Sequence, residues 1–281
     1  MIKISRNTLA VLIALPVMVG VIFFLNKPEE TKKILQDVAS LPSSFSPQGD
    51  KKEPSPVLFT YIEIIDSCGP YFDGVCVNAR SGPSTEAKVI MKLRNGVVLK
   101  TVDKVTVDGI KWYRVSFKDE WLRYPERVGD EWYVAAEYTR SFSDEGVQGE
   151  TASTTPTTKR IVVDLSDQKI YAYDDEDLFM EESMSAGLQA TKTPRGNFTI
   201  YRKSPTRYMQ GPIPGISEKA YDLPGVPWDL YFTEQGAVIH GAYWHDHFGT
   251  PWSNGCVNLS PSQAEKLYRW ADVGTRVLVR D

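Results

Sequence analysis

The sequence predicts a mainly β chain opened by a transmembrane helix and relieved by one amphipathic helix near its end. Twenty uncharged residues, Asn7 to Asn26, separate Lys3 and Arg6 from Lys27. Beyond residue 57, short apolar-polar alternations are punctuated by Gly- and Pro-containing turns, as in strands. Only the stretch after Ser260 repeats apolar residues at helical spacing.

A helix of about twenty residues spans ~30 Å, the thickness of a hydrocarbon core. Pro16 is tolerated in such a helix. The stretch is longer than a signal-peptide core and no A-x-A site follows. Residues 1–27 are therefore read as an uncleaved anchor, with a cleaved signal as the alternative. Lys3 and Arg6 stay inside and the rest of the chain is expected to be extracytoplasmic, in the cell envelope. Residues 28–56 are rich in proline, serine and charge, and read as a tether. The chain has 281 residues and a formal net charge of −4, with no basic stripe, so nucleic acid is excluded as a partner.

Residues 57–141 read as a small β domain. Tyr113, Val115 and Phe117 alternate, and SGPS and VDGIK read as turns. Cys68 and Cys76, eight positions apart, suit a short disulfide loop outside the cytosol; two separate buried thiols are the alternative. The run VNARSGPSTEAKVIMKLRNGVVL, followed by WYRV and EWYVAAEYT, resembles a bacterial SH3-like module. That resemblance implies a small SH3-like β-barrel that binds wall glycan or an envelope protein, or serves as a spacer. The insertion KDEWLRYPERVGD departs from the compact module and puts any ligand groove in question.

Residues 142–158 are polar and Thr-rich and read as a second linker, before a last domain at 159–281. There Ile161, Val163 and Leu165 share a face, as do Tyr171 and Tyr173. Strands are expected at 179–185, at 198–201 and over TRVLVRD. Residues 204–229, rich in Pro and Gly, read as a long irregular loop of the kind that lines sites. Ser260, Pro261 and Gln263 form a helix start with a capping box. Ala264, Leu267, Tyr268 and Ala271 make its buried stripe.

All three histidines, His240, His245 and His247, lie just upstream of Cys256, in the spacing H-x4-H-x-H-x8-C. Three chemistries fit. Cys256 is a nucleophile with His240, at the tip of the apolar strand AVIH, as its base. In that case the N–H groups of Gly255 and Cys256 serve a developing oxyanion. Alternatively the four side chains bind zinc, although no established zinc spacing is present. The third reading is packing: a buried thiol and turn histidines.

The run IHG, followed after a loop by SNGCVN, resembles the signature of the L,D-transpeptidase (YkuD-type) catalytic domain. TPRGNFT and the tail LSPSQAEKLYRWADVGTRVLV resemble its other motifs. The resemblance implies a β-sandwich with one helix, the site covered by a loop. It makes Cys256 the nucleophile, His240 the general base and Gly241 the backbone group that orients it, with Gly255 at the oxyanion. No cofactor and no metal are needed. The implied substrate is a peptidoglycan tetrapeptide stem, which acylates the cysteine and releases D-alanine. An amine then resolves the thioester into a cross-link, whereas resolution by water makes a carboxypeptidase. Ser253, Asn254, Asn258, Tyr243, Trp244, Tyr231 and Met209 are candidate groove residues, with Tyr208. Arg207 either meets a substrate carboxylate or faces water. Asn254 stands where the family has histidine, so a catalytically inactive wall-binding protein is a further alternative, and His245 or His247 is a candidate substitute for the missing imidazole.

Overall fold

In a computed structural model the structure describes residues 56–70, 72–129, 131–149 and 157–281. The anchor expected at 1–27, and the tether up to residue 55, lie outside the described residues. Among the described residues no helix is long and apolar enough to cross a membrane.

The first strands are β1 (Phe59–Ile64), β2 (Cys68–Gly69), β3 (Phe72–Asp73), β4 (Val77–Arg80), β5 (Val89–Leu93), β6 (Val98–Val107), β7 (Ile110–Ser116), β8 (Glu131–Ala135) and β9 (Thr139–Asp144). Seven of them form one sheet in the order β5-β4-β8-β7-β6-β1-β9, and β2 and β3 make a separate ribbon. Asp108 and Gly109 turn β6 into β7 with φ of 50° and 80°, the left-handed pair that a two-residue hairpin needs. Tyr113, Val115 and Phe117 point into one core with Leu93, Leu99 and Trp132. Cys68 and Cys76 are joined by a disulfide, their Cα atoms 4.5 Å apart.

The chain continues through β10 (Gln148–Gly149), β11 (Lys159–Asp164), β12 (Lys169–Asp174), β13 (Asp177–Ser183), β14 (Gly196–Thr199), β15 (Arg202–Ile213), β16 (Ser217–Tyr231), β17 (Val238–Gly241), β18 (Val257–Leu259), α1 (Pro261–Trp270) and β19 (Arg276–Arg280). Two five-stranded sheets result, β13-β12-β11-β19-β14 and β10-β15-β16-β17-β18. Ile161 and Val163 from one sheet, and Leu230, Ile239 and Val257 from the other, share a core with Leu267 and Tyr268 of α1. Ser260 caps α1 by accepting from Gln263 N–H, and the Gln263 side chain reaches back to the Ser260 N–H.

Two sequence expectations change. The segment 204–229, expected to be an irregular loop, is most of the long antiparallel hairpin β15-β16. Its prolines misled the reading, and two of them, Pro212 and Pro224, sit where the ladder is broken. The register shifts between Arg207 and Met209, opposite Pro224 and Gly225, and again between Gly211 and Ile213, around Pro212. A residue without an N–H costs little at a bulge. Within the expected 142–158 linker, β9 runs to Asp144 and β10 pairs with β15. Residues 150–156 lie outside the described residues.

The two β regions share buried side chains. Tyr208, Val226 and Tyr243 belong to the same cluster as Ile62, Leu99 and Trp132, while Tyr61 and Val98 belong to the cluster of the two five-stranded sheets. The insertion between β7 and β8 grips the hairpin. Tyr124 N–H donates to Gln210 Oε1 (2.8 Å) and Gln210 Nε2 returns a bond to Tyr124 O (3.0 Å). Arg127 bridges both strands, donating to Gly211 O and Tyr221 O at 2.8 Å each, and it pairs with Asp222. Gly211 and Tyr221 are cross-strand partners, so one guanidinium ties the hairpin at a single level. Arg127→Ala is expected to cost about 2 kcal/mol and to raise amide exchange of the hairpin around that level by ~10-fold or more. Hydrogen-exchange mass spectrometry checks this.

Candidate active site

His240 and Cys256 come from two adjacent parallel strands. β17 and β18 pair Ile239 with Val257 and His240 with Asn258, so Cys256 directly precedes β18, two positions from His240's partner. His240 is buried, with 1% of its surface exposed. Its Nδ1 lies 3.0 Å from the Gly241 carbonyl oxygen. A carbonyl oxygen only accepts, so Nδ1 carries the proton and Nε2 holds a lone pair. Nε2 is buried and has no hydrogen-bond partner among the described residues. Burial pushes the imidazole pKa down to about 3, with the nearby Arg207 charge adding to the effect. The ring is thus a neutral base with its lone pair free. Nitrogen NMR of His240 is expected to report the neutral Nδ1–H form from pH 8 to pH 5; a titration midpoint near 6.5 would contradict this.

Ser253 builds the cysteine turn. Its Oγ accepts from Gly255 N–H (3.1 Å) and donates to Cys256 O (2.5 Å). Its backbone N–H donates to Ala186 O (3.0 Å), and its carbonyl accepts from Leu188 N–H (2.9 Å). Gly255 has φ of 115°, a conformation costly for any residue with a Cβ. One expectation is corrected here. The Gly255 N–H is consumed inside the turn and is not offered to an oxyanion. The Cys256 N–H has no acceptor among the described residues and is an open donor of the turn beside the sulfur.

The Cys256 thiol is not hydrogen-bonded to His240. Sγ lies 3.9 Å from Gly236 O, to which the S–H donates, and 4.0 Å from the terminal Nη2 of Arg207. Arg207, left open between substrate and water, lies at the sulfur with 21% of its side chain exposed. Its Nε is 2.7 Å from Asp229, which is fully buried. The N–H points off the line to the oxygen, so the contact is an ion pair without a formed hydrogen bond. Burial pushes the Asp229 carboxyl up to about 7, against the pull of Arg207. Sequence reasoning missed Asp229, although a lone acid inside the apolar run from Val226 to Phe232 was a signal for it.

His245 and Asn258 form a second buried pair, Asn258 Nδ2 lying 2.9 Å from His245 Nε2. His245 Nδ1 accepts the His247 N–H at 3.2 Å. A neutral imidazole cannot accept at both nitrogens, so Nε2 carries the proton and the Asn258 amide faces it with its oxygen. That end-for-end orientation also satisfies Asn258 Oδ1, which otherwise lacks a partner. His245 therefore holds Asn258 and does not replace an imidazole at 254. Asn254 is exposed and makes no side-chain hydrogen bond among the described residues. His247 packs on Trp252 with ring centroids 3.8 Å apart. Among the described residues no group of three or more metal-ligating side chains exists.

The expected groove residues divide. Trp244 is half-buried, with its ring 5.7 Å from that of His240, and Tyr231 lies 5.6 Å from the Arg207 guanidinium. Tyr243 is instead a core residue whose hydroxyl donates to Pro224 O at 2.6 Å. Tyr208 and Met209 pack into the cluster shared with the first sheet.

Comparison with known proteins finds two family matches along the chain. Residues 158–279 match the family model of the L,D-transpeptidase catalytic domain, and residues 74–138 match that of the bacterial SH3 domain. None of the curated proteins matches. Among solved structures, an Enterococcus faecium L,D-transpeptidase is 26% identical over 44% of this chain and 50% of its own, with a TM-score of 0.40. An L,D-transpeptidase from Mycobacterium smegmatis is 20% identical over 73% of this chain and 99% of its own, at 0.42. L,D-transpeptidase 3 from Mycobacterium tuberculosis is 19% identical over 66% and 92%, at 0.42. The match thus takes in half the length of the Enterococcus faecium chain. Over residues 158–279 this chain is therefore similar to the L,D-transpeptidase (YkuD) catalytic domain, and over residues 74–138 to the bacterial SH3 domain.

Proposed function

We propose that the protein is a peptidoglycan L,D-transpeptidase working through a thioester on Cys256. The observation that carries this reading is the His240 imidazole, neutral, fixed by the Gly241 carbonyl and left with a free Nε2 lone pair one strand away from the lone free cysteine among the described residues. When substrate enters, the thiol turns from Gly236 O toward Nε2 and gives up its proton. The sulfur attacks the carbonyl carbon of the third residue of a tetrapeptide stem, and the Cys256 N–H stabilises the oxyanion. The C–N bond breaks as imidazolium returns the proton to the leaving amine of D-alanine. An acceptor amine then attacks the thioester, its proton passes to His240, and the thiolate departs with the cross-link formed. Asn254 is exposed and holds neither partner, which supports an active enzyme without histidine at that position.

The N-terminal apolar segment supports anchoring in the membrane, with the SH3 domain and the enzyme outside the cytoplasm. Phe117, with Glu120, Trp121 and Leu122 of the insertion, lines a cleft of about 400 Å³, and Trp121 is 74% exposed. An exposed indole beside a cleft suits a wall glycan, the partner proposed for this domain. Digested stems incubated with the protein test the reaction by mass spectrometry. Cross-linked dimers are expected, and Cys256→Ala yields none. Stems shortened by D-alanine without dimers would make the enzyme a carboxypeptidase.

A further inference from the structure

We infer that Arg207 is the carboxylate-binding group of the acyl-donor site, so that the donor must carry an anion on the residue that leaves. The inference rests on Cys256 being the acylated residue. Arg207 Nη2 lies 4.0 Å from the sulfur, and Arg207 is the cation that contacts it among the described residues. The other edge of the guanidinium is held at Nε by Asp229, 2.7 Å away and fully buried. Tyr231 packs against it at 5.6 Å. Among the described residues no backbone carbonyl accepts from its terminal nitrogens. The result is a fork anchored at one end and open at the nucleophile.

Bond geometry says what the open end meets. When a thiolate attacks the last peptide bond of a stem, the carboxylate of the leaving residue is three bonds from the attacked carbon, roughly 4 Å away. An anion at that distance from a carbon bound to Sγ falls within reach of a guanidinium beside Sγ, and a planar fork matches a carboxylate in two parallel hydrogen bonds. The leaving amine departs with its carboxylate still on Arg207, which keeps the nitrogen oriented to receive its proton from His240.

The test compares two donors, a tetrapeptide ending in free D-alanine and the same peptide ending in D-alaninamide, by the rate of Cys256 acylation seen in intact-protein mass spectra. Charge-assisted hydrogen bonds of ordinary strength predict that the wild type prefers the acid about 30-fold. In Arg207→Lys, which keeps a cation for Asp229 but loses the fork, the preference is expected to fall to ~3-fold. In the double variant Arg207→Gln/Asp229→Asn, which removes both charges together and spares Asp229 an unpaired burial, the ratio is expected near 1. Should the double variant fail to fold, as judged by circular dichroism, Arg207→Lys alone decides. A preference retained in the variants overturns the inference. Acylation of the wild type by both donors at equal rates also overturns it while leaving Cys256 as the nucleophile; acylation by neither overturns both.

Discussion

Replacing His240 by glutamine is expected to slow acylation of Cys256 about a thousandfold, the middle of the range for losing a positioned general base. Glutamine keeps the size and a donor for the Gly241 carbonyl but has no lone pair that holds a proton at neutral pH. The expectation follows from the geometry: Nδ1 is spent on Gly241 at 3.0 Å, so only Nε2 can take the thiol proton. Asn254→His makes the contrast. Position 254 is exposed, and its change is expected to move the same rate by less than about threefold. The rate of Cys256 acylation by a tetrapeptide stem, followed in intact-protein mass spectra, measures both. Equal losses in the two variants would mean that the base lies elsewhere.

Gly225→Ala is expected to destabilise the protein by about 3 kcal/mol, from two sources. Gly225 has φ of 62°, in the left-handed region, and a Cβ there would lie 2.4 Å from the Val98 carbonyl oxygen. The contact joins the β15-β16 bulge to β6, so either the hairpin or the first sheet must shift. Gly109→Ala separates the terms. Gly109 also has positive φ, 80°, but a Cβ would meet nothing within 4 Å. That variant is expected to lose only the backbone part, about 1 kcal/mol. Chemical denaturation of the two proteins checks the difference; equal losses would mean that the two β regions yield freely at Gly225.

How much of this was legible in the sequence depended on whether local chemistry decided the outcome. The helix was legible in detail, because Ser260, Pro261 and Gln263 encode its start within four residues. The strands around Ile161 and Val163 were legible from period-two burial. The hairpin 202–231 was not, since Pro212, Pro224 and Gly225 break the local strand pattern and only its cross-strand partners make it a strand pair. Cys256 and His240 stood out by residue type and spacing. The partners that set their state did not: Gly236 O, Arg207 and Asp229 arrive from other segments. Nor could the sequence tell that Ser253 takes the Gly255 N–H, or that His245 turns to Asn258. Those choices are made by hydrogen-bond satisfaction in the folded turn. The docking of Tyr124 and Arg127 on the hairpin was equally invisible, because an insertion between strands carries no local mark of what it will touch.

The most direct test is intact-protein mass spectrometry after incubation with a tetrapeptide stem, followed by peptide mapping. The account predicts a mass gain equal to the stem minus D-alanine, mapped to Cys256, reversed by an added amine and absent in Cys256→Ala. A folded protein that gains no mass, or gains it at another residue, would contradict it.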